Sequence, residues 1–117
     1  RLALENKEIK LFGNGEERRD HIYIENVIDI LLSCIVRKGV GRLNLATGKV
    51  VSFKNLALEA IITAKSKSKI KFLPRKGPMP HNGYRPFNVK LLNKNFNKIK
   101  LYKHSIGIKK YMKDLII

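Results

Sequence analysis

The 117-residue chain carries 25 basic and 9 acidic residues, a formal net charge of +16, and is 44% hydrophobic. Its length fits one domain, residues 1–117, or a piece of a larger one. No apolar run approaches a membrane span, so we expect no membrane contact, and no stretch has the pattern of a secretory signal. A single cysteine fits a reducing, cytoplasmic setting. The single cysteine, Cys34, excludes an internal disulfide and a cysteine-based zinc site, and we expect it to be a small buried hydrophobe.

The strong positive charge makes nucleic acid, anionic lipid and phosphorylated small molecules candidate partners. Of the 25 basic residues, however, 18 are lysines scattered along the chain, and no helix-turn-helix, aromatic RNA-binding strand or zinc-knuckle pattern accompanies them. The charge pattern therefore argues against nucleic acid as the partner but leaves a basic nucleic-acid-binding module as the alternative.

The predicted elements begin with a short strand, Ile9–Phe12, closed by the turn Gly13-Asn14-Gly15. An extended stretch over residues 18–24 leads to a helix predicted over 26–37, begun by Glu25 or Asn26 and stopped by glycine. Apolar residues recur at helical spacing along it, and we expect them to form its buried face: Val27, Ile30, Leu31, Cys34 and Ile35.

The second half of the chain repeats this alternation. Residues 42–46 are predicted to form a strand, and Ser52 caps a helix that runs to about Lys65 with its apolar face on Phe53, Leu56, Ala57, Ala60, Ile61 and Ala64. An edge strand is expected over 69–73, an extended proline-rich loop after it, and a short element over 89–96. A last helix starts near Ser105, and its predicted buried face comprises Ile108, Tyr111, Met112, Leu115 and Ile116.

These elements predict an α/β to α+β fold with about three amphipathic helices and short strands. The strands are too few and too short to build a full sheet alone. The chain also opens without Met, directly in a helix-like stretch. Both features suggest a fragment of something larger.

Four segments, in order, resemble the extended short-chain dehydrogenases/reductases, the family of NAD-dependent nucleotide-sugar epimerases and dehydratases. Gly13-Asn-Gly-Glu-Glu-Arg-Arg-Asp-His-Ile-Tyr-Ile-Glu-Asn-Val27 is similar to the family's Gly-x-Gly-x-x-x-Arg-Asp-(aromatic)-Ile-Tyr-Val-Asp-Asp-Val. Leu43–Gly48 followed by Ser52 resembles its Asn-Ile-Gly-Thr-Gly strand before a Ser-capped helix. Phe72–Pro78 resembles its Pro-Arg-Pro-Gly loop, and Asn88–Leu91 its Asp-x-Ser-Lys segment, with Asn88 in place of the aspartate.

The resemblance implies a small C-terminal substrate domain that packs beside a Rossmann domain absent from this sequence. In such enzymes NAD(P) is bound by the Rossmann domain, and the small domain holds the diphosphate of a nucleoside-diphosphate sugar. The family's Gly-x-x-Gly-x-x-Gly loop and Tyr-x-x-x-Lys catalytic pair are both missing here, so we expect no catalytic, cofactor-binding or metal-binding residue in this chain. The parent enzyme is expected to form a homodimer through its Rossmann half.

The same resemblance points to substrate-binding residues. Arg19 matches the arginine that contacts the pyrophosphate, and a guanidinium suits this task because it can donate two hydrogen bonds to a phosphate. Phe12 matches an aromatic near the nucleobase, although it could equally be strand core. Asn44 matches an asparagine near the phosphates, where its amide can donate a hydrogen bond. Arg18, beside Arg19, is expected to be an ordinary surface residue.

A second phosphate-binding arginine is expected in the proline-rich region. Arg85 is placed ahead of Arg75 for this role, and His81 could pair with a phosphate when protonated. Asp20 is expected to be structural, accepting backbone N–H bonds in a turn. The sequence therefore predicts the nucleotide-sugar-binding part of an NAD-dependent epimerase or dehydratase that is not catalytically competent alone, with a nucleic-acid-binding module and an inactive interaction domain as alternatives.

Overall fold

The computed structural model describes residues 1–116, which form a small mixed α/β fold. Within that range the strands are β1 (Ile9–Phe12), β2 (Arg18–Asp20), β3 (Val50–Ser52), β4 (Ile70–Leu73) and β5 (Tyr84–Arg85). The helices are α1 (Ile24–Val36), α2 (Phe53–Thr63), α3 (Lys90–Asn95) and α4 (His104–Ile116). The predicted fold class is confirmed, and the short element expected over 89–96 is a fourth helix.

The strands form two separate small sheets. In the first, β1 and β4 run parallel with Ile9 opposite Ile70 and Phe12 opposite Leu73. In the second, β2 is central, antiparallel to β3 and parallel to β5. The loops after β1 and β4 therefore leave the same end of the first sheet, and β2 follows directly on one of them.

Local sequence accounts for the start of α2 but not for that of α1. The Ser52 side chain accepts a hydrogen bond of 3.2 Å from the Asn55 backbone N–H, as the N-cap prediction required. The expected cap of α1 by Glu25 or Asn26 is wrong, because the helix begins at Ile24 after Tyr23 and has no side-chain cap. Asn26 is instead buried, donating to the Lys100 carbonyl at 3.1 Å and accepting from the Tyr102 N–H at 2.8 Å.

The strand predicted over residues 42–46 is wrong. These residues belong to no sheet in the described part of the chain: the strand antiparallel to β2 is β3, which comes after them in the sequence. Directly after the segment, the N–H groups of Thr47 and Gly48 donate to the Asp20 carboxylate at 2.8 Å and 2.7 Å. This contact confirms the structural role predicted for Asp20.

The predicted apolar faces are only partly buried. On α1, Ile30 is fully buried, but Leu31 is 48% and Ile35 71% exposed. Cys34 is half-buried rather than buried. On α4, Met112 is buried, whereas the remaining large members of the predicted face at the helix end are exposed: Tyr111, Leu115 and Ile116. Helical periodicity identified which side of each helix is apolar, but not whether another element covers it.

The molecule is flat and open. It measures 46 × 39 × 16 Å, and its Cα radius of gyration of 16.4 Å exceeds the value of about 13 Å expected for a compact domain of this length. Its accessible surface of 8919 Å² compares with about 6,500 Å² for a compact monomer of this mass. The excess of roughly 2,400 Å² corresponds to surface that a compact domain would bury.

No helix within residues 1–116 is both long and apolar enough to cross a lipid bilayer.

Candidate anion-binding site

Three arginines converge where β2, β5 and the loop after β4 meet. Arg19 lies on the central strand β2 and is in register with Arg85 on β5. Residues opposite one another in a sheet project from the same face, and neighbouring strands are about 4.8 Å apart. The two guanidinium groups therefore leave the sheet on one side. Arg75, two residues beyond the end of β4, approaches the same region through Glu17.

Glu17 links two of these arginines. One carboxylate oxygen pairs with Nη2 of Arg19, and the other accepts from Nη1 of Arg75 at 3.1 Å. The three side chains are only 13%, 18% and 20% exposed for Glu17, Arg19 and Arg75. A carboxylate largely removed from water between two guanidiniums satisfies one oxygen with each, which explains why this ion triad forms across the fold.

Further contacts fix the arginine side chains. Nη1 of Arg19 donates to the Arg18 carbonyl at 2.9 Å, and its Nη2 lies 3.4 Å from the Pro80 carbonyl oxygen. Arg85 places Nη1 3.0 Å from Nε2 of His81, and its guanidinium lies 5.7 Å from the centre of the Phe87 ring. Arg85 and His81 are exposed, unlike Arg19.

The cluster carries more positive charge than its one carboxylate neutralises. It also has more hydrogen-bond donors than acceptors. The guanidiniums of Arg19 and Arg75 share one carboxylate, and the Arg85 guanidinium on the neighbouring strand contacts His81 and Phe87 instead. The Nε of Arg75 is buried with no hydrogen-bond partner within residues 1–116. Buried donors normally have a partner. An anion with several oxygens, such as a phosphate or diphosphate, matches this arrangement chemically.

A second, smaller concentration of charge lies on the other side of β2. Arg18 points away from Arg19 because side chains alternate along a strand, and it is exposed, as predicted. It lines a cleft of about 590 Å³ with Lys54, Asn14 and Glu16. The pKa of Glu16 is lowered, chiefly by a hydrogen bond from its own backbone N–H.

The remaining predicted site residues lie around the cluster rather than in it. Phe12 is 60% exposed at the end of β1, opposite Leu73, two positions before Arg75. The interpretation of Phe12 as strand core is wrong, because its ring is uncovered. Asn44 lies in a loop, not a strand, and its Nδ2 donates to the Asn88 carbonyl at 3.0 Å. That contact does not bring Asn44 to the arginines.

Sequence reasoning missed Glu17 and placed Arg75 behind Arg85. The structure gives Arg75 the more enclosed position and a shared carboxylate with Arg19, while Arg85 is exposed beside His81. The sequence did contain a signal for Glu17. It has only 9 acidic residues against 25 basic ones, and two of the acidic residues directly precede Arg18 and Arg19. An acidic residue so placed in a basic chain is a natural counter-ion.

The glycine turn at Gly13 and Gly15 does not fit the phosphate loop of a dinucleotide-binding site. A dinucleotide phosphate loop needs a glycine turn that leads from a strand into a helix N-terminus. The turn at Gly13 and Gly15 leads from β1 into β2 instead. No step of NAD chemistry is therefore assigned to residues 1–116.

The chain is similar to solved structures in its fold and to one protein family in part of its sequence. No curated protein matches the chain significantly. Among solved structures, the X-ray structure of Pal from Bacillus thuringiensis aligns with a TM-score of 0.67 and 23% identity over 97% of this chain. The chain spans 37% of that structure's length, and at this identity the likeness shows the fold alone. Residues 1–46, which include Phe12, Arg19 and Asn44, match the NAD dependent epimerase/dehydratase family, and this match supports the family indicated by the sequence.

Proposed function

We propose that this chain binds the diphosphate of a nucleoside-diphosphate sugar, as the substrate-binding part of an NAD-dependent sugar epimerase or dehydratase. The observation that carries the proposal is the pairing of Arg19 and Arg75 with a single carboxylate, Glu17, with Arg85 in register with Arg19 on the neighbouring strand. A diphosphate needs charged donors when it leaves water, and guanidiniums supply them in pairs. The match of residues 1–46 to the epimerase/dehydratase family supports the same interpretation.

Within the proposed site each residue has a distinct task. Arg19 and Arg75 donate N–H groups to the phosphate oxygens, with Glu17 holding both side chains in place when no ligand is bound. Arg85 adds a third donor from the exposed side, and His81 adds a charge when it is protonated. The exposed ring of Phe12 offers a stacking surface to the nucleobase. Hydride transfer to NAD(P) belongs to the parent enzyme and its Rossmann domain.

The Rossmann domain of the same enzyme is proposed to cover the exposed apolar side of α1. The outward side of α1 and the residues after it carry a continuous set of exposed apolar side chains: Ile28, Leu31, Leu32, Ile35, Val36 and Val40. An excess surface of roughly 2,400 Å² is also of the size that obligate interfaces bury. We propose that the parent enzyme is a homodimer, as its family resemblance implies, and that it is cytoplasmic, since a single cysteine fits a reducing compartment.

The test is calorimetric titration at physiological salt with UDP-, GDP-, CDP- and dTDP-sugars. Saturable binding of one of them is expected to weaken by roughly 1.5–3 kcal/mol, more than tenfold, in Arg19→Ala, the size of a hydrogen bond to a charged group. Arg18→Ala is the matched control, because it removes the same charge from the adjacent residue on the opposite face of β2. Equal loss in the two variants would refute a specific site at Arg19.

The same titration decides the nucleic-acid alternative. Random-sequence duplex DNA is expected to bind weakly, with no difference between the Arg18 and Arg19 variants. Tight DNA binding that falls steeply with salt, without heat from any nucleotide sugar, would replace the present proposal with a nucleic-acid-binding module.

A further inference from the structure

A pocket of about 260 Å³ is lined by β3, by the loop before it and by the residues that lead into α4. We call it the β3 pocket. Four basic side chains line it, those of His21, Lys49, Lys103 and His104, and its lining contains no carboxylate. None of the three arginines of the cluster lines it. Positive charge therefore converges at a second place in the fold, apart from the arginines.

Hydrogen bonds fix two walls of the β3 pocket. In the loop before β3, the Asp20 carboxylate accepts from the Thr47 hydroxyl at 2.6 Å and from the Gly48 N–H at 2.7 Å. Before α4, the buried side chain of Asn26 accepts from the Tyr102 N–H at 2.8 Å. These contacts hold the backbone of both walls without a ligand, so a ligand need not order that backbone when it binds.

The basic groups of the β3 pocket have few partners of their own. The Nε2 of His21 is buried with no hydrogen-bond partner among residues 1–116. Lys49 and Lys103 are exposed, and neither forms an ion pair within that range. His104 differs, because its Nε2 contacts Glu59 at 2.9 Å. Buried polar groups normally have a partner, and one anion with several oxygens can serve an imidazole and two ammonium groups together.

We propose that the β3 pocket binds the phosphate group of a small molecule, or phosphate itself, as a second anion site separate from the arginine cluster. Lys49 and Lys103 supply positive charge, and Nε2 of His21 donates a hydrogen bond to a phosphate oxygen. The pocket volume of about 260 Å³ is many times the roughly 30 Å³ that one water occupies in the liquid. It therefore has room for a phosphate and a short organic group, which the side chains of Val51 and Leu101 would contact.

The experiment follows the histidine ring signals of the 117-residue chain by NMR during titration with inorganic phosphate and with glycerol 3-phosphate. His21 and His104 report on the β3 pocket, and His81 reports on the arginine cluster. The signals of His21 and His104 are expected to shift and saturate. Tighter binding of glycerol 3-phosphate assigns the pocket to an organic phosphate, and tighter binding of the inorganic ion assigns it to phosphate itself. Signals of His21 and His104 that do not move overturn the proposal.

Titration of His21 with and without sulfate tests its hydrogen bond, because the charge of sulfate does not change near neutral pH. Burial lowers the pKa of His21; Asp20 raises it, and His104 and Arg19 lower it further. These groups and the two pocket lysines are the charges that surround the ring. Because a bound anion favours the protonated ring, sulfate is expected to raise the pKa of His21 by about one unit. A pKa that sulfate leaves unchanged would contradict the contact.

Matched charge removals locate the site. Lys49→Gln combined with Lys103→Gln is expected to weaken phosphate binding to the β3 pocket about tenfold. Lys94→Gln combined with Lys98→Gln removes the same charge at two exposed positions outside the pocket and should change binding less than about twofold. Equal loss in the two double variants overturns the proposal.

The β3 pocket and the proposed diphosphate site can fail separately. Arg19→Ala should weaken the response of His81 to phosphate and leave that of His21 in place. Saturation that moves His81 alone therefore overturns the β3 pocket and leaves the diphosphate proposal standing. Saturation that moves His21 alone does the reverse.

Discussion

Replacing Glu17 by glutamine should have opposite effects on stability and on ligand affinity. The Glu17→Gln substitution keeps the shape of the side chain but removes the charge that Arg19 and Arg75 share. Because both guanidiniums are at most 20% exposed, losing their counter-ion should lower the free energy of unfolding by roughly 1.5–3 kcal/mol. Diphosphate binding should become stronger, because the ligand no longer competes with the carboxylate.

The gain in affinity follows from Coulomb's law. Two unit charges about 6 Å apart in a medium of effective dielectric constant near 20 interact by about 2.8 kcal/mol. Partial exposure and salt should reduce this to about half, or about tenfold in the dissociation constant. Differential scanning fluorimetry with and without UDP, together with calorimetric titration, measures both effects. The Tm of the free protein should fall, and the rise in Tm on adding UDP should be larger than in the wild type.

Glu16→Gln is the control, since it changes the same charge at the adjacent residue. Glu16 accepts from the Asn14 N–H at 2.7 Å and pairs with neither arginine of the triad. If Glu17→Gln binds UDP no better than Glu16→Gln does, the arginines are not the diphosphate site and the reasoning fails.

Three further predictions concern the framework of the site. Asp20→Ala removes the acceptor of two backbone N–H groups and of the Thr47 hydroxyl at 2.6 Å. Urea unfolding should therefore show a free energy of unfolding lower by about 2–4 kcal/mol. A change below about 1 kcal/mol would contradict this prediction. Ser52→Ala should destabilise by about 1 kcal/mol through loss of the N-cap, with Ser52→Thr nearly neutral. Burial lowers the pKa of His21 below its ordinary value of 6.5, so its contribution to stability is complete above about pH 6.5 and is lost as pH falls towards the lowered pKa. His21→Phe should flatten this part of the Tm–pH profile, and an unchanged profile would assign the acid sensitivity to another group.

The limits of sequence reasoning are clearest at the arginines. Arg19 was singled out by a local motif, and the structure brings Arg85 beside it through the parallel pairing of β2 with β5. That pairing joins segments far apart in the chain and has no local signal. The Glu17–Arg75 contact joins residues 58 positions apart. No local pattern in the sequence indicates it, and the ranking of Arg85 ahead of Arg75 was therefore made without it.

The sequence determined the elements whose formation is local. Helical periodicity located α2 and α4 within one or two residues, Ser52 was recognised as a cap, and alternation located β1 and β4. These features depend on side chains within a few positions of one another, so their physical cause is visible in a short window.

Tertiary structure decided burial, strand partners and the composition of the charged cluster. Residues 42–46 have strand-like composition, but the partners of β2 are β3 and β5, and residues 42–46 pair with no strand among residues 1–116. Ile35 fits the apolar stripe of α1 but is 71% exposed, because no described element covers that side. Pairing and burial each require a partner supplied from elsewhere in the chain or by another domain, and one residue's own neighbours in sequence do not specify it.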